Sequence, residues 1–394
     1  MKSTFLFKKF LFFHLFSYIT FASNLILTKN PITTQLGDYP KEVKFGEHRE
    51  ISLKVGSGCT VAFSNEGMMK SIQLKESETH TPVRVQFFKY GVRRKGEYSG
   101  AYLFLPNGFA GLIENAKQPV VLVTKGPLES SVSTGLSFGV HHTILRDGEA
   151  PEIRNNIDIG SMDDTEIVMR FQTRIHSGET FYTDLNSLQT IKRQRFSKIP
   201  LQGNYYPIPS AIYIEDESLR LTIVTAQPLG GSSLAEGEVE IMQDRRLTHD
   251  DERGLGQGVL DNQPVLHIFR VVLERIENCE KLADNHPSGI LTLPAYRNLK
   301  AILDPLDKFI FTENDWLGVL PEFGSTHSAL GDDMEIVMMR NLPATSTIPA
   351  VARDRKPHLQ QNTGLIVHRT NLLQCSGLEA QNTGEVLYLS LNEL

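Results

Sequence analysis

The chain has 394 residues, 40% of them hydrophobic and 22% charged, which is enough to bury a core and to form two domains or one large β-domain. Its net charge of −6 leaves no basic excess to neutralise phosphates, so nucleic-acid binding is not expected.

The first residues carry Lys2, Lys8 and Lys9 ahead of an apolar run from Phe10 to Ala22, with Thr20 and Ala22 as small residues at a cleavage position. This layout predicts a signal peptide over residues 1–28, or an uncleaved anchor if the run continues through Leu25–Leu27. Either form sends the chain into the secretory pathway, and contact with a membrane is expected only through this segment. Cys59, Cys279 and Cys375 allow one disulfide and one free thiol, with three choices of pair left open. There is no C-x-x-C and no N-x-[ST].

Past the leader the hydrophobic period is two. Residues 50–56, 81–91, 165–175, 219–227 and 265–276 alternate apolar with polar side chains, are rich in Val, Ile, Phe and Thr, and are bounded by turn formers. Turns are expected at Pro106–Gly108, Arg146–Pro151, His176–Thr180 and Leu229–Ser233. Long strands with one polar face imply antiparallel sheets packed face to face, and the lack of strand–helix alternation argues against a doubly wound α/β sheet. The basic run Ile191–Phe196 reads as a solvated strand edge or turn. Ala295–Phe311 has helical spacing that Pro305 breaks. The stretches 286–289 and 303–307 look like a boundary, and Glu385–Leu394 is a last strand-like piece.

Few segments suggest chemistry. In "DDERGLGQGVLDN" (residues 250–262) three acids precede Arg253, and Gly254, Gly256 and Gly258 follow at every second position. The spacing is not G-x-G-x-x-G and no strand-to-helix turn surrounds it, so a dinucleotide loop is excluded; the adjacent acids do not fit a calcium loop either. By itself the stretch is an acidic turn whose glycines permit unusual backbone angles. His141 and His142 adjoin on a strand and must face opposite ways, which makes a poor metal clamp. Glu238 and Glu240 share a strand face, as a glycosidase carboxylate pair could, but nothing selects them as such. No residue is nominated as a nucleophile.

Longer stretches go further. Residues 99–108, 118–133, 151–171, 181–186, 204–210, 227–247 and 250–262 resemble, in order, the C-terminal half of the α-mannosidases of glycoside hydrolase family 38. The likeness runs from about Lys41 to Cys375. It implies an all-β fold: an antiparallel β super-sandwich like that of galactose mutarotase over residues 40–300, followed by a smaller, truncated β-domain over 301–394. It also implies the family activity, retaining and zinc-dependent removal of α-1,3- and α-1,6-linked mannose from N-glycans. In the family an α/β domain carries the zinc ligands, the nucleophile and the acid/base. No counterpart of that domain is found in this sequence, so no catalytic residue and no metal ligand is expected here, and the chain alone is expected not to turn over.

Two positions match the family's sugar-facing wall: Tyr102, by its polar tip, and Arg253, by its backbone carbonyl. Both position rather than react. The implied partners are a mannose-containing N-glycan and an α/β catalytic domain or a full-length mannosidase, in the Golgi lumen or outside the cell. The other reading is a secreted carbohydrate-binding or regulatory module.

Overall fold

The computed structural model describes residues 51–305 apart from 56–57, 76, 94–95, 115–118, 127, 278 and 280–281, together with 333–342 and 362–373. The leader over residues 1–28, Cys375 and the strand-like Glu385–Leu394 lie outside the described residues. Residues 51–305 and Leu373 belong to one compact unit. A second unit holds the antiparallel hairpin of Met334–Leu342 and Asn362–Arg369.

All five expected strands form, as Ile51–Lys54, Thr81–Gly91, Thr165–Thr173, Leu219–Thr225 and Val265–Arg275. They belong to two antiparallel sheets. In the first, the spatial order is Ile51–Lys54, Thr60–Phe63, Met69–Gln73, Thr81–Gly91, Thr165–Thr173, Glu238–Arg246, Leu229–Ser232 and Tyr206–Ile208, with Gly111–Leu112 beside Thr81–Gly91. In the second it is Ser288–Gly289, Gln189–Gln194, Thr180–Leu185, Ala211–Glu215, Leu219–Thr225, Val265–Arg275, Glu152–Ile157, Gly139–Arg146, Glu129–Leu136 and Val121–Lys125.

Alternation supplies the core. Val83, Val85 and Phe87 turn inward from one strand and are joined by Met169, Phe171, Val239 and Ile241 of the same sheet. Val132, Ile153, Ile212, Ile223 and Phe269 come from the other sheet into the same cluster. Burying a side chain of this size contributes about 1.5–3 kcal/mol. The all-β, antiparallel reading therefore holds.

A polar row crosses that core. Thr134, His141, Asn155 and His267 pair across four neighbouring strands of the second sheet, and all are buried. His141 Nδ1 lies 2.7 Å from Asn155 Oδ1, and Asn155 Nδ2 donates across the sandwich to Gln243 Oε1 at 2.8 Å. Burial pulls the pKa of His141 down to about 4, against the opposing Asn155 bond; burial alone takes His267 to about 4. His142 is half-buried on the opposite face, as strand alternation requires.

The expected turn at Leu229–Ser233 is instead a strand, Leu229–Ser232, paired with Tyr206–Ile208 and with Glu238–Arg246. Its glycines serve close approach rather than turning: a Cβ on Gly231 would sit 2.2 Å from Ile208 Cδ1 and 2.7 Å from the Glu240 carbonyl oxygen. The basic run 191–196 is tied down more than a solvated edge would be. Lys192 Nζ donates to the Asp284 carbonyl at 2.6 Å, and the Arg193 guanidinium lies 4.5 Å from the Tyr206 ring centroid.

The helix Leu293–Leu303 starts where Thr292 Oγ1 accepts from Ala295 N at 3.2 Å and stops short of Pro305. It buries Ala295, Tyr296, Leu299 and Ile302 and packs on strands Leu219–Thr225 and Val265–Arg275. Replacing Thr292 by Ala removes this cap and is expected to lower stability by about 1 kcal/mol in a urea melt. Cys279 is disulfide-bonded, while Cys59 is a free, half-buried thiol whose pKa burial raises.

Candidate functional site

Tyr102 and Arg253 lie on different segments, at opposite ends of a buried carboxylate. The loop carrying Arg253 leaves and rejoins the sheet at Leu247 and Val259, which exchange main-chain hydrogen bonds of 3.0 and 2.8 Å. Within it Glu252, Gly254 and Gly256 adopt φ of 56°, 105° and 74°, so two of the three glycines of the sequence stretch serve left-handed backbone, while Gly258 serves close approach, a Cβ there lying 2.3 Å from the Leu247 carbonyl oxygen. Thr248 fastens the start of the loop, donating through N and Oγ1 to Asp164 Oδ1 at 2.9 and 2.7 Å.

Asp251 is buried beneath this loop. Its Oδ2 accepts the backbone N–H of Tyr102 at 2.7 Å and of Leu103 at 2.9 Å, and its Oδ1 accepts that of Arg253 at 3.3 Å. Burial works to raise this carboxyl, but the N–H donors of Tyr102, Leu103 and Arg253 prevail and hold it below the usual carboxylate range. Gly100 makes room: a Cβ there would lie 2.5 Å from Asp251 Cβ. The side chains the two segments carry are exposed, Tyr102 to 65%. The Arg253 guanidinium reaches back to Glu97 Oε1 at 2.7 Å.

The Tyr102 segment is held from below as well. Arg245 Nη2 donates to the Leu103 carbonyl at 2.7 Å while its Nε donates to Glu166 Oε1 at 2.7 Å. Burial raises the Glu166 carboxyl despite the Arg245 charge. Ser99 Oγ accepts from Leu105 N at 2.6 Å. Further along the same sheet face, Glu240 takes hydrogen bonds from the hydroxyls of Tyr90 and Tyr205 and from Arg170 Nε and Nη2 at 2.9 and 2.6 Å. Burial, reinforced by the Glu240 charge, raises both phenols well above their ordinary range. Phe104, two residues after Tyr102, stands edge-on to both tyrosines at 5.3 and 4.8 Å. Glu238 accepts from Gln172 Nε2 at 2.7 Å. The Glu238/Glu240 pair is thus committed to structure. Beside the loops opens a groove of about 700 Å³, walled by Ala101, Met242, Arg245, Leu255 and Leu260 among others.

Sequence reasoning singled out Tyr102 and Arg253 but missed the group that joins them. Asp251 stood in the quoted stretch, and its only local signal was an acid two residues before Arg253, able to cap a turn. Glu166 and Arg245 are 79 residues apart and had no signal. Among the described residues no three His, Cys, Asp or Glu side chains converge for a metal. Among the same residues no helix is long and apolar enough to cross a membrane.

Comparison with known proteins gives this geometry its context. The family described as glycosyl hydrolases family 38 C-terminal domain matches residues 57–253, half of the chain, and the family 38 C-terminal sub-domain matches 333–393. The chain is 58% identical to α-mannosidase 2 of Drosophila melanogaster over 358 residues, which is 91% of this chain and 31% of that protein. It is 36% identical to α-mannosidase 2 of Rattus norvegicus over 73% of this chain and 26% of that protein. For α-mannosidase 2 of Homo sapiens the identity is 34%, over 84% and 28%. The chain therefore spans about a third of the length of these relatives or less. The domain match takes in the loop up to Arg253 together with most strands of the two sheets, and by that match the chain belongs to glycosyl hydrolase family 38.

Proposed function

We propose that this chain supplies the β-domain wall of an α-mannosidase site. The Tyr102 hydroxyl and the Arg253 carbonyl face a mannose unit of an N-glycan, and bond cleavage is carried by groups beyond the described residues. One observation carries the reading: a single buried carboxylate, Asp251, hydrogen-bonds the backbone of both segments, leaving the Tyr102 ring exposed above them. Retaining hydrolysis needs two free carboxyl groups about 5–5.5 Å apart. The strand pair that resembled one, Glu238 and Glu240, is engaged with Gln172, Arg170, Tyr90 and Tyr205.

The nucleophile, the acid and the zinc are assigned to an α/β catalytic domain that this wall partners, within the secretory pathway, in the Golgi lumen or after secretion. The division into a super-sandwich over 40–300 and a smaller β-domain over 301–394 belongs to the same proposal, supported by the separate family matches at 57–253 and 333–393. A stand-alone glycan-binding or regulatory module is the second reading, favoured by the rim being assembled from this chain's own residues. It requires a mannoside Kd tighter than about 1 mM, because an open half-pocket buries little of a sugar.

The purified chain is offered a chromogenic α-mannoside with added zinc and with a chelator, and no turnover is expected. Chelator-sensitive turnover that survives repurification would overturn the assignment. In an NMR titration with methyl α-mannoside, Tyr102→Ala is expected to abolish the shifts around residues 99–105. Arg253→Ala should retain them, since a main-chain carbonyl does not depend on its side chain. The opposite pattern would reverse the roles given to the two residues.

A further inference from the structure

We propose that Asp251 is a positioning residue, a latch that fastens the Tyr102 segment and the Arg253 loop into one rim before any glycan arrives. The inference rests on the proposed sugar-facing roles of those two residues and adds the element that sets their separation.

The two carboxylate oxygens divide the work. Oδ2 takes adjacent N–H groups of Tyr102 and Leu103, and Oδ1 takes the N–H of Arg253 on its own loop. Only an ionised carboxylate offers acceptors in both directions; an amide would turn an NH2 toward one set of donors. Gly100 is bare where it meets the latch, with Asp251 Cβ, Cγ and N all within 2.7 Å of a would-be Cβ. Contact this close leaves no slack between the segments.

Each segment also has an anchor of its own. The Tyr102 side is held by the Arg245 bond to the Leu103 carbonyl, and the Arg253 side by the Leu247–Val259 bridge and the Thr248–Asp164 bonds. Loss of the latch should therefore uncouple two loops and leave the sandwich folded. A rim held at fixed geometry binds and orients a sugar without the ordering cost that two independent loops would carry.

Hydrogen exchange followed by NMR on the full chain tests this, with Asp251→Asn and Gly100→Ala compared against the unmutated protein. In both variants the amides of Tyr102, Leu103 and Arg253 are expected to exchange faster together, by about tenfold or more. Amides of the central strand Thr165–Thr173 should stay as protected as before. Shifts induced by methyl α-mannoside should weaken in both variants with the melting temperature little changed, a separation that a purely structural role would not give.

Faster exchange at Arg253 alone, with Tyr102 and Leu103 still protected, would overturn the latch, and so would an unaltered sugar titration in Asp251→Asn. If the unmutated chain shows no mannoside shifts, the stand-alone glycan-binding reading falls, and the coupled exchange alone decides whether Asp251 joins the segments. Should the variants not fold, the unmutated chain decides. A common opening free energy for the three amides supports the latch; unrelated values sink it.

Discussion

Replacing Glu240 by Ala is expected to destabilise the sandwich by about 3–5 kcal/mol, the cost of leaving a buried partner charge uncompensated. Glu240 is 1% exposed and accepts four hydrogen bonds, from Tyr90, Tyr205 and twice from Arg170. Arg170 is largely covered, its side chain 13% exposed and its guanidinium 4.0 Å from the Phe88 ring centroid. Glu238 lies 3.7 Å from Arg170 Nη1 and offers only partial replacement. Glu240→Gln keeps the shape but points an NH2 at donors, so a loss approaching that of Ala is expected. Replacing Arg170 and Glu240 together by Met and Leu should cost less than either single change, because no charge is left stranded. Urea unfolding midpoints at constant m-value give the comparison. A single-variant loss under about 1 kcal/mol, the range of exposed ion pairs, would show that the cluster is wetter than its burial indicates.

Acid is expected to weaken the fold between pH 6.5 and about 4, through His141 and His267. Unfolded, each imidazole takes its proton near 6.5; folded, each holds off to about 4. Above 6.5 both states are neutral and the difference vanishes. Inside the window the unfolded chain binds more protons, so stability falls as the pH falls, by about 3 kcal/mol per histidine once the lower value is passed. The neighbours leave few alternatives. His141 faces Asn155, Thr143 and the Phe87 ring, with His142 beside it as the one charge that bears on it; His267 lies alongside Phe269. Glu166 and Glu274 act oppositely, since burial raises their carboxyls, and they blunt the slope at its acidic end. Urea melts at pH 7, 6 and 5 would trace the decline, and His267→Leu should remove about half of it. An unchanged decline in that variant would move the proton uptake to other groups.

The strands were legible where one face is apolar and the other polar. Thr81–Gly91 and Val265–Arg275 match their expected limits to within a residue. Less legible were strands whose inward positions are polar, such as Glu152–Ile157, which places Asn155 in the core. Leu229–Ser232 was misread because glycine signals both turning and close approach, and the distinction rests on which atoms lie opposite, here Ile208 and Glu240.

The site divides in the same way. Tyr102 and Arg253 could be named from long motifs that resemble a family, but the contacts that place them join residues 149, 142 and 79 positions apart. Pairings at such separations are fixed by sheet register, and no local pattern encodes them. The supporting acids Glu166 and Glu240 lie on strand faces that alternation alone would give to solvent.

The strand order has a consequence for how the chain is made. Thr165–Thr173 lies between Thr81–Gly91, synthesised about 80 residues earlier, and Glu238–Arg246, which emerges about 70 residues later. The second sheet is likewise incomplete until Val265–Arg275 enters between Leu219–Thr225 and Glu152–Ile157. On a ribosome neither sheet can be completed before these later strands emerge, so part of the apolar core surface stays uncovered. At about 5–20 residues per second, the wait from residue 91 to residue 275 lasts on the order of 10–40 s. A nascent chain in that interval exposes unpaired strand edges and apolar surface, the condition under which folding chains aggregate.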